Sequence, residues 1–265
     1  MKKSLLLCPP TYYDIKYEIN PWMSKDNPID KARAMEQYET LTYAYEQLGV
    51  KYDELAPDES VPDQVFTTDT GHAENKKFIR ANFKYDERKK EADIAEAYFT
   101  EKGFHIHMLP SDVYFEGGDL LKFDDIYIFG HGKRSSKEAQ KPIEKVLGVE
   151  LIDVELPDDI FYHLDTCIAI ITKNVVVANL NALTKDGVET LNHHFSTVIP
   201  TTEEDNALMV CNLMNIGGNA VLTQGISNTL KDALRPHVEL ISTTPMSEYI
   251  KGGGSVHCVS LEIFE

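Results

Sequence analysis

Basic residues are scarce in this chain, and that scarcity excludes the first partners one would consider. Lys and Arg number 26 against 43 Asp and Glu, a formal net charge of −17 over 265 residues. Nucleic acid and anionic membrane surfaces would be repelled, whereas a small cationic substrate would not. Long apolar runs are missing too. No stretch approaches the roughly 18 uncharged apolar residues of a membrane span. The start, Met1-Lys2-Lys3-Ser4-Leu5-Leu6-Leu7, imitates a signal peptide until Cys8-Pro9-Pro10 interrupts it without a small-residue cleavage site, so it reads as a first buried strand. Cysteine is sparse. Cys8, Cys167, Cys211 and Cys258 are far apart and form no CxxC pair, which argues against a disulfide scaffold and a zinc ribbon and suits a reducing cytoplasm. No HExxH is present either, so neither metal nor cofactor is expected. Low-complexity and Pro/Gly/Ser-rich linkers are absent, and 42% hydrophobic content suffices for a substantial core. One catalytic domain over residues 1–265 is the expectation.

What is present is a long-period repeat. A proline follows a short apolar segment five times, at Pro57, Pro110, Pro157, Pro200 and Pro245, with spacings of 53, 47, 43 and 45 residues. Each is preceded by a stretch of helix formers, near residues 31–48, 85–102, 136–147, 183–192 and 228–234. Several are followed by two strand-like runs around a tight turn, as in 119–123 with 126–129 and 167–172 with 175–178. The unit is helix, strand, Pro, acidic loop, hairpin. Five such units nearly exhaust the chain, and their simplest closed arrangement is a ring of five ββαβ-like modules, an α/β-propeller with pseudo-fivefold symmetry. The alternative is an ordinary α+β domain with coincidental prolines. The repeat also aligns polar residues: Glu116, His163 and Asn206 each stand six positions after a proline. In a ring such positions would converge on the axis.

Three consecutive glycines, Gly252-Gly253-Gly254, precede Ser255-Val256-His257-Cys258 and the strand-like run that ends the printed chain. Glycines are a poor choice there unless something must approach the backbone closely. Strand alternation would put His257, Val259, Leu261 and Ile263 on an apolar face and Cys258 on the other, presented as a nucleophile. His257 then reads as a packing neighbour. Three further motifs stand out: Phe66-Thr67-Thr68-Asp69, Phe115-Glu116-Gly117-Gly118-Asp119 and His163-Leu164-Asp165. Singly, each has a bland explanation as a core histidine, a turn or a cap. Jointly, a thiol, an imidazole and several carboxylates are the parts for nucleophilic catalysis on a cationic electrophile.

The set FTTD, FEGGD, HLD and GGGSVHC, in this order, resembles the guanidino-group-modifying superfamily of five-bladed α/β-propellers, the pentein fold. That superfamily includes arginine deiminases, dimethylarginine dimethylaminohydrolases, arginine dihydrolases and amidinotransferases. The resemblance implies Cys258 as nucleophile and His163 as acid, then base. It implies Glu116, Asp165 and Asp69 as the guanidinium grip, and Asp119 as a supporting or substrate-contacting group. Gly132-Lys133-Arg134 resembles the family segment whose arginine grips the α-carboxylate. Arg80 is the expected second clamp, with a solvated residue in a charged stretch as its alternative, and Asp63 matches a family position facing the α-amino group. Ile19-Asn20-Pro21-Trp22 resembles the arginine-dihydrolase and amidinotransferase branch, in which Asn20 would reach substrate. That branch often carries Asn where this chain has Asp69, while dimethylarginine hydrolases commonly carry Glu where it has Thr68. The chain sits between subfamilies. The expected reaction is hydrolysis of the guanidino group of arginine or an N-substituted arginine, giving citrulline plus ammonia or an alkylamine. Amidino transfer or ornithine-forming dihydrolysis is the alternative at the same Cys/His site. The resemblance leaves monomer versus homo-oligomer open.

Overall fold

The computed structural model describes residues 3–265, so Met1 and Lys2 of the expected first strand lie outside the described residues. The chain enters on β1 (Lys3–Leu7), crosses through α1 (Lys31–Gln47) and returns on β2 (Lys51–Glu54) parallel to β1. Asp30 caps α1, its side chain accepting the Arg33 N–H. The unit that follows is then used repeatedly. A tight antiparallel hairpin is made by β3 (Gly71–Glu74) and β4 (Lys77–Arg80). Helix α2 (Lys89–Glu101) and β5 (His105–His107), parallel to β4, complete it.

The second module is β6 (Leu120–Phe123), β7 (Ile126–His131), α3 (Gln140–Leu147) and β8 (Ile152–Glu155). A four-residue helix, α4 (Leu164–Cys167), leads into the third: β9 (Ile168–Thr172), β10 (Val175–Ala178), α5 (Lys185–His194) and β11 (Thr197–Pro200). A short α6 (Glu203–Ala207) precedes the fourth: β12 (Met214–Ile216), β13 (Asn219–Thr223), α7 (Asn228–Leu234) and β14 (Ile241–Thr244). After α8 (Ser247–Ile250) the final strand, β15 (Leu261–Phe264), pairs antiparallel with β1. Strands β15, β1 and β2 with α1 thus form a fifth ββαβ module whose hairpin is assembled from the two ends of the chain. It joins the first edge to edge through β15 and β3, which accounts for one six-stranded sheet beside three three-stranded ones.

The apolar packing closes the ring. Side chains of β4 pack on β6 and β7, those of β6 and β7 on β9 and β10, and those of β9 and β10 on β13. Leu5 and Leu7 of β1 pack with Met214 and Val221 of the fourth module, while Leu6 packs with Ala73 and Phe78 of the first. Every module therefore buries one face against each neighbour. Each repeat proline stands at or just beyond the last strand of its module, where a residue without an N–H ends the ladder. Helices α2 and α3 begin later than the composition suggests, at Lys89 and Gln140, because a tighter turn occupies the preceding three residues of each.

One local expectation fails. Cys258 is not on a strand: β15 starts only at Leu261, and Cys258 sits in a turn where the Val259 N–H bonds Ser255 O and the Ser260 N–H bonds His257 O. Alternation therefore does not decide which way the thiol faces.

Candidate active site

The loops entering the hairpins supply the polar groups. Glu116 precedes β6, His163 and Asp165 flank the start of α4, Asp69 precedes β3, and Cys258 precedes β15. All five are buried. His163 Nε2 donates to Glu116 Oε2 at 2.9 Å, and its Nδ1 lies 3.4 Å from Asp69 Oδ1, an ion-pair distance without hydrogen-bond alignment. Asp165 Oδ2 lies 3.3 Å from Cys258 Sγ.

Three of these side-chain atoms have no hydrogen-bond partner in the protein: Asp69 Oδ1, His163 Nδ1 and Asp165 Oδ1. They share a target. A methyl group built on Gly118 would stand 2.8 Å from Asp69 Oδ1, 2.9 Å from His163 Nδ1 and 3.2 Å from Asp165 Oδ1. Two carboxylate oxygens and an imidazole nitrogen thus converge beside the thiol, over a glycine whose missing Cβ leaves the room. Buried polar atoms cost free energy unless something pairs with them, and a flat cation rich in N–H donors complements the two carboxylate oxygens.

The triple glycine is explained by close approach. A Cβ on Gly252 would stand 2.3 Å from the Tyr13 hydroxyl, one on Gly253 2.7 Å from the Tyr162 hydroxyl, and one on Gly254 2.5 Å from the Phe66 ring. Gly253 also has φ of 92°, a left-handed conformation that disfavours side chains. Tyr162 donates its hydroxyl to Gly253 O at 2.8 Å and so fixes the loop.

Electrostatics assigns protonation states. Burial opposes charge on His163, but Asp69, Asp119 and Glu116 outweigh it and hold the imidazolium up to about 9. Burial also opposes ionisation of Glu116. The Arg134 guanidinium and His163 prevail, keeping it well below the usual carboxylate range. Burial raises the Cys258 thiol well above its ordinary value, and Asp165 and Asp69 raise it further. The protein alone therefore favours a neutral Cys258 thiol and a His163 imidazolium. An added cation between the carboxylates would favour the thiolate.

The other expected residues divide. Arg134 is in the site: Nη1 donates to Glu116 Oε2 at 3.1 Å, Nη2 to Ile19 O at 3.1 Å, and the guanidinium lies between the Tyr85 and Tyr162 rings. It lines a cleft of about 420 Å³ with Asn20, Lys84, Lys133 and Tyr162. Asn20 stands at the same mouth, its amide spent on Gly252 O at 3.0 Å and its carbonyl on the Trp22 and Met23 N–H groups. Asp63 is buried with both carboxylate oxygens unpartnered, and burial pushes it up to about 6 against the pull of Arg88.

Asp119 is committed to backbone donors. Its oxygens accept the Ser135 and Leu164 N–H groups at 3.2 and 3.0 Å, tying the loop before α3 to α4, because a buried carboxylate inside the ring finds backbone donors first. Arg80 is turned to the outer surface by Asp93 and Glu96 of α2, so it is not the second clamp. The buried arginine of that region is Arg88, which donates to Asp69 Oδ2 at 2.6 Å and forks onto Glu91. Asn206, aligned by the repeat, pairs with Thr201 outside the site.

Two residues escaped the sequence reading. Asn212 donates to Cys258 Sγ at 3.0 Å and accepts the Ser255 and Cys258 N–H groups. Its signal was its place just before the first strand of the fourth module, the same place that yields Asp69, Asp119 and Asp165 elsewhere. His257 does more than pack, since its Nδ1 lies 2.8 Å from Asp165 Oδ2 where the turn at Cys258 replaces the expected strand. No cluster of three or more His, Cys, Asp or Glu among the described residues has metal-holding geometry. Nor is any helix there long and apolar enough to cross a membrane.

Residues 14–265 match the family described as N,N dimethylarginine dimethylhydrolase, eukaryotic. A bifunctional arginine dihydrolase/ornithine cyclodeaminase, ArgZ of Synechocystis, is 30% identical over 268 residues, 98% of this chain. This chain spans 38% of the length of that relative. The N(G),N(G)-dimethylarginine dimethylaminohydrolase of Mycobacterium tuberculosis is 30% identical over 97% of this chain and 84% of that protein. The crystal structure of the N-terminal domain of ArgZ bound to product, an arginine dihydrolase of Cyanobacteria, superposes with a TM-score of 0.95 at 31% identity, covering 100% of this chain and 98% of that one.

Proposed function

The chain belongs to the N,N-dimethylarginine dimethylhydrolase family of hydrolases acting on C–N bonds of amidines, within the guanidino-group-modifying superfamily, and on that footing we propose a specific reaction for it. It hydrolyses the guanidino group of free arginine or a close N-substituted relative, through a covalent intermediate on Cys258, as a single catalytic domain. The observation that carries this reading is the convergence of Asp69 Oδ1, His163 Nδ1 and Asp165 Oδ1 over Gly118.

A guanidinium carbon is a poor electrophile because resonance spreads its charge. Charge-assisted hydrogen bonds to Asp165 and Asp69 fix the group with its carbon near Cys258 Sγ, and Glu116 completes the grip. The bound cation lets the thiol lose its proton to solvent, and the thiolate adds to the carbon. His163 then protonates the departing nitrogen through Nδ1, the atom that faces the site. The C–N bond breaks, ammonia or an alkylamine leaves, and an S-alkylthiouronium remains. Neutral His163 takes a proton from water, the resulting hydroxide adds to the same carbon, and the C–S bond breaks to release the ureido product and the thiol. At the cleft mouth Arg134, with Lys84 and Lys133 nearby, suits an α-carboxylate, and Asp63 suits an α-amino group.

Citrulline is the expected product from arginine. A site walled by Asp69 and Asp165 holds a cation well and a neutral ureido group poorly, so the first product is released. The second reading, two successive hydrolyses to ornithine, draws support from the 0.95 TM-score to an arginine dihydrolase domain and from Asn20 at the cleft. Amidino transfer is the third. Incubation with arginine and no acceptor amine separates them. Citrulline with one ammonia supports the leading reading, ornithine the second, and no turnover without an amine the third. Four free buried thiols fit a reducing compartment such as the cytoplasm.

A further inference from the structure

Four ionisable groups, acidic and basic in turn, run from the nucleophile into the ring. Asp165 Oδ2 stands 3.3 Å from Cys258 Sγ and 2.8 Å from His257 Nδ1. His257 Nε2 stands 4.0 Å from Glu262 Oε2, and Glu262 is ion-paired with Lys3. The groups come from four stretches: α4, the turn at Cys258, β15 and β1. Three of them, His257, Glu262 and Lys3, line a small cavity of about 40 Å³. Lys122 of β6 shares an adjoining crevice with His257 and is itself turned to Glu74. The ionisable groups about His257 are therefore Asp165, Glu262, Lys3, Lys122, His72 of β3, Cys211 and its neighbour Cys258.

The arrangement answers an electrostatic difficulty. A thiolate at Sγ would stand 3.3 Å from the carboxylate of Asp165. Two anions at that separation, buried, oppose each other strongly. A guanidinium substrate offsets this from the Gly118 side, and the imidazole of His257 lies on the other.

We propose that His257 is a positioning residue for the nucleophile: carrying positive charge between Asp165 and Glu262, it aims Asp165 Oδ2 at the thiol and offsets that carboxylate's opposition to thiolate formation. The proposal rests on Cys258 being the nucleophile. Consistent with it, burial of His257 works against the charged form, yet Asp165 and Glu262 together raise it above the ordinary histidine value, with Lys3 opposing. The hydrogen bond also leaves Asp165 Oδ1 free for the guanidinium. In thiolate formation the S–H bond alone breaks, its electron pair stays on sulfur and its proton leaves to water.

The test is the pH dependence of alkylation of Cys258, read on its own peptide by mass spectrometry. Iodoacetamide serves as the neutral probe and a haloacetamidine as the cationic one. In each, sulfur displaces halide, so no turnover is needed. His257→Asn keeps an N–H for Asp165 and removes the charge. Its profile moves to higher pH, and its rate at neutral pH falls about tenfold, the effect of losing one nearby charge. Glu262→Gln, remote from the sulfur, moves the profile the same way by less. Wild-type profiles in both variants overturn the proposal. Should His257→Asn fail to fold, an unchanged Glu262→Gln profile overturns it alone. A wild-type Cys258 that resists both reagents defeats the nucleophile reading itself, a result distinct from unchanged variants of a reactive wild type.

Discussion

Asn212 holds Cys258 at both ends: its Nδ2 lies 3.0 Å from Sγ, and its Oδ1 accepts the Cys258 N–H at 3.0 Å. One amide from the fourth module thus sets the direction of a thiol supplied by the fifth. Asn212→Ala leaves the Ser255 and Cys258 N–H groups buried without partners, at about 1–3 kcal/mol each. The expected result is a lower urea midpoint and a turnover loss exceeding what the remaining folded fraction explains. Denaturation and steady-state rates on one preparation check this.

Cys258→Ser should abolish turnover, by at least about a thousandfold, since a hydroxyl is a far weaker nucleophile than a thiolate. Binding of arginine should survive, because the grip belongs to Asp69, Asp165 and Glu116. Calorimetric titration of the variant with arginine reads the second half of the statement. Loss of binding together with activity would contradict it.

His163 makes both activity and stability pH-dependent. Its folded-state value, about 9, lies above the ~6.5 of an unfolded histidine. The stabilisation is therefore complete below about pH 6.5 and is lost as pH rises through 9. Urea unfolding of Cys258→Ser between pH 6 and 10 should show stability falling on the alkaline side, and His163→Asn should flatten that fall. The catalytic acid of the free enzyme is lost over the same interval, so wild-type kcat/KM should decline there.

Gly118→Ala puts a methyl within 2.8–3.2 Å of the three converging polar atoms. Gly118 has no positive φ, so the backbone tolerates the change. The expectation is lost arginine binding together with a lowered Tm, since contacts under 3 Å push buried side chains aside. Gly253→Ala differs, because φ is 92° and the Tyr162 hydroxyl lies 2.7 Å from the new Cβ. That variant should lose stability as well.

Asp69→Asn removes one anion from the guanidinium grip and supplies an amide that can also donate to a ureido oxygen. Arginine KM should rise, and the ratio of ornithine to citrulline should rise with it. Product analysis by chromatography after exhaustive incubation decides this.

The two arginines Arg80 and Arg88 mark where sequence reading stops. Both lie in one charged stretch, and nothing in composition separates them. Arg80 is carried outward by β4 onto Asp93 and Glu96, whereas Arg88, at the start of α2, is drawn in by Asp69 and Glu91. His257 and Asn212 eluded it for the same reason, since their partners lie 92 and 46 residues away in sequence.

The sequence alone determined the modules and the chemical parts. Prolines end ladders and apolar periods make helices and hairpins, while Glu116 before a glycine pair, His163 with Asp165 two residues on, and Cys258 after three glycines stand out as the chemical parts. Only the tertiary structure decided which atoms meet. Closure of the ring through β15 and β1 brings a thiol, an imidazole and carboxylates from separate modules together. The direction of the Cys258 thiol was likewise set there, not by strand alternation. It follows from a turn and from Asn212, and such long-range hydrogen bonds leave no period in the chain that forms them.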